Sequence, residues 1–255
     1  MKSIFDTHAH YDDEAFDHDR HELLSWLQSQ NVCAVVNAAS DIESSRAGIT
    51  LAERHPFVWA AAGIHPHEAG NAPKNAIETL QSLLEHPRVV ALGEIGLDYH
   101  YNTFPREVQL DLFEQLLKLS LEVEKPVIIH DREAHEDTLR LLKQYRPKGV
   151  IHCFSGSPEL AKEVLRLGMY IGLGGAVTFK NAKKPVEVAA MLPADRLVLE
   201  TDAPYMTPVP FRGKRCHSGY IAYTAEKIAE IRGISVESLL RQTCENACSL
   251  YGITL

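Results

Sequence analysis

The chain carries no excess of basic residues: 26 Lys and Arg stand against 34 Asp and Glu, a formal net charge of −8 at pH 7. That excludes a broad basic face, so a polyanionic substrate must be held locally, by metal ions and a few Arg or Lys side chains. No apolar run reaches spanning length, and the first residues run straight into a strand, leaving no room for a signal peptide. Linkers, low-complexity tracts and composition shifts are also missing, which argues for a single domain over 1–255. Cysteine is scarce and odd in number. Cys33, Cys153, Cys216, Cys244 and Cys248 are scattered, which suits a reducing, cytoplasmic compartment rather than a disulfide framework. Cys244 and Cys248 stand four apart on one face of the last predicted helix, as small buried residues rather than ligands.

What is present is periodicity. With 255 residues, 45% hydrophobic and 24% charged, the chain can bury a large core and has the length of one α/β barrel. Apolar runs predict strands at Ser3–His10, Val32–Ala39, Phe57–Ile64, from Val89 to Leu92, and at Val127–His130, Gly149–Cys153, Met169–Leu173 and Arg196–Thr201. Helical patterns lie between them: Leu23, Leu24 and Leu27; Ala47 and Leu51 behind an Asp41 cap; Ile77, Leu80 and Leu84; Leu110, Phe113, Leu117 and Leu121; Leu141, Leu142 and Tyr145. Ser157-Pro158-Glu159 opens another helix with a cap, a proline and an acid in the first turn. Helices near 221–231 and 235–247 finish the chain. Strands alternating with helices predict a parallel sheet, and eight such units predict a closed (β/α)8 TIM barrel, an α/β fold. A doubly wound open sheet is the alternative, but it needs a reversal of strand order that the sequence does not show.

His8 and His10 alternate on the first strand, so they share a face where two imidazole nitrogens can grip one metal ion. Asp6 is expected on that face, one layer deeper. A lone His-x-His fits a surface pair equally well, and its company decides. Glu94 follows strand four, His130 and His152 end strands five and six, and Asp202 follows strand eight. In a parallel barrel these ends converge on one mouth. Core strands have little other reason to finish in polar residues, because an unpaired polar group there costs free energy. Four histidines and two carboxylates suffice for two divalent ions, with Glu94 as the bridge between cations roughly 3.5–4 Å apart. Mixed imidazole and carboxylate ligation accepts Zn, Mn, Fe or Mg.

The strings Phe5-Asp6-Thr7-His8-Ala9-His10, Gly63-Ile64-His65-Pro66-His67, Gly93-Glu94-Ile95-Gly96-Leu97-Asp98-Tyr99, Pro126-Val127-Ile128-Ile129-His130-Asp131-Arg132, His152-Cys153-Phe154-Ser155-Gly156 and Glu200-Thr201-Asp202-Ala203-Pro204-Tyr205 together resemble the TatD family of metal-dependent deoxyribonucleases. The family lies within the amidohydrolase-like barrel superfamily. The resemblance covers nearly the whole chain and implies a TIM-type barrel, a two-metal centre and hydrolysis of DNA phosphodiesters. It maps the family's ligands onto His8, His10, Glu94, His130, His152 and Asp202. One departure stands out: many members carry Asn-Glu-Pro in the loop after strand eight, where this chain has Arg215-Cys216-His217-Ser218-Gly219. That loop borders the mouth, so it bears on substrate choice, with His217 either taking part or lying plainly on the surface.

On this reading two metals activate a water, Asp202 is the general base, and Glu94 shares in catalysis as the bridge. His65 and Arg132 are placed to contact phosphate, and a guanidinium suits its geometry. Arg212, Lys214 and Arg215 form a positive cluster, either solvated or, at Arg215 above all, touching substrate. Asp6 and Glu200, each two residues before a ligand, orient ligand imidazoles or are buried acids satisfied by backbone. His67, Tyr99 and Phe154 shape the mouth or simply pack. The expected substrate is single-stranded DNA or duplex ends, with no membrane or protein partner. The same cradle serves a small-molecule amidohydrolase or phosphoesterase, or an ester hydrolase on aminoacyl-tRNA. A non-catalytic metal-holding barrel would be favoured by a missing ligand, and none is missing.

Overall fold

A computed structural model describes residues 4–101 and 103–255. Ser3, expected at the head of the first strand, lies outside the described residues. The chain alternates β1 (Ile4–Ala9), α1 (Arg20–Ser29), β2 (Val32–Asn37), α2 (Ile42–Arg54), β3 (Val58–Ala62), α3 (Ala76–Leu84), β4 (Val89–Asp98), α4 (Arg106–Glu122) and β5 (Val127–Arg132). It continues through α5 (His135–Tyr145), β6 (Gly149–Ile151), α6 (Pro158–Arg166), β7 (Tyr170–Leu173), α7 (Lys183–Met191), β8 (Leu197–Leu199), α8 (Ile221–Arg232) and α9 (Val236–Tyr251).

The strands pair in parallel in the order β1 to β8. Closure comes just past the end of β8. There Asp202 donates its backbone N–H to the His8 carbonyl at 2.9 Å, and His10 donates to the Ala203 carbonyl at 2.7 Å. The molecule is therefore a (β/α)8 barrel, sealed at the end that carries the polar strand tips. Local chemistry supports the layout. Asp41 and Ser44 form a reciprocal capping box on α2, and the Ser157 side chain caps α6 ahead of Pro158. Gly233 and Gly252 adopt positive φ where α8 and α9 stop.

Several boundaries differ from the sequence reading. Strand four runs to Asp98, so Glu94 lies inside it, and strand five runs to Arg132. A register irregularity between Leu92 and Ile95 redirects the chain at Glu94, whose N–H goes to the Ala39 carbonyl at 2.9 Å. The approach there is close: a Cβ on Gly63 would stand 2.5 Å from the Gly93 carbonyl carbon. Helix α7 has no counterpart among the expected helices; Pro185 lies in its first turn, where proline is tolerated. Ala47 and Leu121 face solvent, while Gly48 and Ile49 on α2 and Leu116 and Leu119 on α4 fill the inward positions.

The apolar interior has two layers. One lies between strands and helices. The other gathers Phe5, Ala34, Val36, Ala61, Ile128, Val150 and Val198 against Ala247, Leu250, Tyr251 and Ile253. Ile128 and Val150 sit two residues before His130 and His152 and so face the same way. The tail of α9 thus closes the floor of the barrel, opposite the mouth. Each fully buried aliphatic or aromatic side chain contributes roughly 1.5–3 kcal/mol. Among the described residues no helix is long and apolar enough to cross a membrane.

Candidate metal centre

Glu94 is buried at the centre of the mouth, and its two oxygens face different imidazoles. Oε1 lies 2.6 Å from His130 Nδ1, 2.7 Å from His152 Nε2 and 3.5 Å from His65 Nε2. Oε2 lies 3.2 Å from His8 Nε2 and 3.6 Å from His10 Nε2. Asp202 Oδ1 completes the second group, 3.6 Å from His8 Nε2 and 3.4 Å from His10 Nε2. The six residues proposed as ligands from the sequence are therefore brought together. Three sets of donors each lie within 4.8 Å of one another: His8, His10 and Glu94; His8, His152 and Asp202; His65, Glu94 and His130. His65, expected only as a phosphate contact, thus also stands at ligand distance.

Electrostatics sort these groups. Burial works to raise the Glu94 carboxyl, but the charges of His152, His65 and His8 and the His130 hydrogen bond outweigh it and hold Glu94 well below the usual range. Asp202 is likewise held down against burial, by His10 and by the charges of His152 and His8. Burial, and then His152, push His8 down to about 4; burial does the same to His65. His10 and His130 rise to about 9 despite burial, through Asp202 and Glu94 for the first and Asp98 and Glu94 for the second.

Asp98 was given no role by the sequence reading. It is fully buried, and its Oδ2 accepts from His130 Nε2 and His67 Nε2, both at 3.0 Å. Its Oδ1 accepts from the backbone N–H groups of His100 and Tyr101 at 2.9 and 3.0 Å. Asp98 therefore fixes which His130 nitrogen is free to face Glu94. Its signal was parity, since Glu94, Gly96 and Asp98 alternate along one strand, hidden because that strand was expected to stop near Leu92.

The remaining site residues divide. Glu200 is buried beside His152, with Oε1 3.8 Å from His152 Nδ1 and accepting from the Cys153 N–H. Burial lifts its carboxyl to about 8. Asp6 reaches no imidazole, because a register irregularity between Asp6 and Ala9 breaks strict alternation. Instead it accepts from the His8 N–H at 3.3 Å, the Thr201 N–H at 3.0 Å, Thr201 Oγ1 at 2.6 Å and Ser218 Oγ at 2.7 Å. It knits β1 to the segment that carries Asp202.

Arg132 stacks its guanidinium 4.6 Å over the Tyr101 ring, and among the described residues no carboxylate pairs with it. Arg215, expected to touch substrate, is committed elsewhere: it grips Asp19 at 2.8 and 2.6 Å and covers the Phe16 ring at 4.8 Å. Arg212 and Lys214 likewise lie over Phe179 and Phe211, so the three charges do not act as one cluster. His217 is neither a mouth residue nor a plain surface one. It is half-buried, stacked on Tyr220 at 4.0 Å and edge-on to Trp26. Tyr99 bonds Asp137 at 2.8 Å, and Phe154 is a packing residue; His67 stays in the site through Asp98.

These residues fit divalent cations. The buried Glu94 and the partly buried Asp202 meet only imidazoles with their carboxylates among the described residues. His8 Nε2 and His10 Nε2 point at each other across 3.0 Å, an arrangement that a shared cation satisfies without a tautomer conflict. The nitrogen and oxygen donors suit borderline or hard ions. Binding metal would displace the protons that His10 and His130 otherwise carry.

A barrel with such a cradle at its mouth is the layout of a metal-dependent hydrolase. A family model described as TatD related DNase matches residues 5–252, and the chain belongs to the TatD family. It is 40% identical over 253 residues to an uncharacterized metal-dependent hydrolase, YabD of Bacillus subtilis strain 168, covering 98% of this chain and 99% of that one. It is 32% identical over 259 residues to the 3'-5' ssDNA/RNA exonuclease TatD of Erwinia tasmaniensis, covering 98% and 100%. The crystal structure of YjjV, a TatD homologue from Escherichia coli K12, superposes with a TM-score of 0.91 at 32% identity, covering 99% of each chain.

Proposed function

We propose that this metal-dependent hydrolase cleaves phosphodiester bonds of DNA, at single-stranded or duplex ends, with two divalent ions held around Glu94. One observation carries the reading: the two oxygens of a single buried carboxylate face separate imidazole groups, the arrangement a bridging ligand needs. When bound, such ions supply Lewis-acid polarisation of the phosphoryl oxygen and a water acidified toward neutral pH. The chain's own residues do the rest. Asp202, kept ionised by its imidazole neighbours, takes the proton of the attacking water on its carboxylate. Arg132 offers a guanidinium to the phosphate, backed by the Tyr101 face. Asp98 holds His130 in place from behind, and Glu200 stands 3.8 Å behind His152. The exonuclease name of the Erwinia relative supports a nucleic-acid end as substrate. The odd, unpaired cysteines support the cytoplasm as its place of action.

The test is to determine the metal content of the purified protein and assay it on end-labelled single- and double-stranded DNA beside small esters, amides and lactones. Arg132→Ala should raise KM on DNA about tenfold or more while leaving metal content and folding unchanged, as expected for loss of a charge-assisted contact of roughly 1.5–3 kcal/mol. Faster turnover of a small ester or lactone than of any DNA end would move the function to the small-molecule class.

A further inference from the structure

Three of the five cysteines meet at the floor of the barrel, away from the mouth. Cys33 is the second residue of β2, and Cys244 and Cys248 lie one turn apart on α9. All three are half-buried and pack against the inner core layer. Cys33 Sγ stands 3.6 Å from Cys244 Sγ, though 211 residues separate them in sequence. Bonded sulfurs sit about 2.05 Å apart, so closure asks for roughly 1.5 Å of movement shared between two side chains. No thiol belongs to any of the metal-competent clusters among the described residues, so the geometry favours pairing over ligation.

We propose that Cys33 and Cys244 are a modification site: peroxide converts them to a reversible disulfide that fastens α9 to β2. The Cys33 thiolate attacks one peroxide oxygen, the O–O bond breaks, and hydroxide leaves, taking up the proton that Cys33 released. Cys33 is then a sulfenic acid. Cys244 sulfur attacks the Cys33 sulfur, the S–S bond forms, the S–O bond breaks, and the leaving hydroxide takes the Cys244 proton. Two thiols and one peroxide thus give one disulfide and two waters. Cys33 is the attacking group, because the hydrogen bond from Cys244 holds its thiol below the ordinary range. Burial, and then Cys244, push Cys248 up to about 11, so it is the bystander.

The bond would act on the floor rather than the mouth. Beyond Cys244, α9 carries Leu250 and Tyr251, and the Tyr251 hydroxyl donates to the Thr7 carbonyl at 2.9 Å. Fastening α9 keeps that floor closed and closes a long loop in the unfolded chain, while no ligand side chain is touched.

The test treats metal-loaded protein with hydrogen peroxide, blocks free thiols, and maps peptides without reduction. Wild type should lose two of its five thiols, yield a Cys33–Cys244 peptide pair, and gain several degrees in thermal midpoint, all reversed by a dithiol reductant. Cys248→Ser should behave as wild type, whereas Cys33→Ser and Cys244→Ser should show no peroxide-dependent rise. Mapping on the wild type stands whether or not a variant folds. A Cys244–Cys248 pair, loss of thiols only after unfolding, or an unchanged midpoint with the pair formed would each overturn the proposal.

Discussion

Asp98→Asn isolates the residue that sets the His130 ring. In the wild type, Asp98 Oδ2 accepts from His130 Nε2, which leaves Nδ1 aimed at Glu94 Oε1, 2.6 Å away. An asparagine keeps the shape and one oxygen for the His100 and Tyr101 N–H groups, but it turns an amide donor toward His130 and His67. To avoid donor against donor, His130 must move its proton to Nδ1, and that nitrogen can then no longer ligate. Loss of such an orienting partner typically weakens metal binding 10–100-fold, or about 1.4–2.7 kcal/mol. The effect should be confined to the metal proposed to sit at Glu94, His130 and His152. Calorimetric titration of metal-stripped protein with Mn or Zn reads both sites: one Kd should rise within that range and the one governed by His8 and His10 should hold. Two unchanged affinities in a folded variant would refute the assignment of Asp98 to tautomer control.

Asp202→Asn keeps five of the proposed ligands and should hold most metal, yet turn over about 10²–10⁴-fold more slowly, a defect that persists at saturating metal. Full recovery on adding Mn or Zn would reduce Asp202 to a ligand. Arg215→Ala breaks an exposed pair with Asp19 of about 0.2–1 kcal/mol, so the thermal midpoint should fall by about 0.4–4 °C. KM on DNA should stay put, and a several-fold rise would return Arg215 to the substrate path. Burial, and then Arg215, hold His217 down to about 4 from an ordinary 6.5, so the unfolded chain binds its proton first. Its contribution is complete above pH 6.5 and is lost as pH falls toward 4. His217→Phe, which keeps the stack on Tyr220, should therefore narrow the gap in midpoint between pH 7.5 and pH 5; an unchanged gap would mean that His217 titrates normally.

The fold was legible because its signals are local. Eight apolar runs separated by helical patterns, with caps at Asp41 and Ser157, define strands and helices without long-range information. The reading fell short at α7, which it left out, and at the far half of β4, which it ended near Leu92 although the strand continues through Gly93 and Gly96. Those two glycines are what let the strand continue. A Cβ at Gly93 would stand 2.6 Å from that of Ile128, and Gly96 has a φ of 144° and presses against the His130 backbone. A residue that ends a strand in most settings here lets two strands approach.

The donors that face the cradle were legible for a related reason. His8, His10, Glu94, His130, His152 and Asp202 are polar residues within or just past apolar strand runs, and each demanded a partner that its own strand could not supply. The residues behind them make no such demand, because their partners arrive from far along the chain. Asp6 and Thr201 are 195 residues apart, and Asp6 and Ser218 are 212 apart. Parity placed Asp6 under His8, but the irregularity between Asp6 and Ala9 turned it toward the closing seam, where four hydrogen bonds await it. Ser218 belongs to the loop whose sequence departs from the family pattern, and Tyr11 donates to its hydroxyl, which in turn donates to Asp6. That loop therefore reaches the site through Asp6 and the Thr201 backbone beside Asp202.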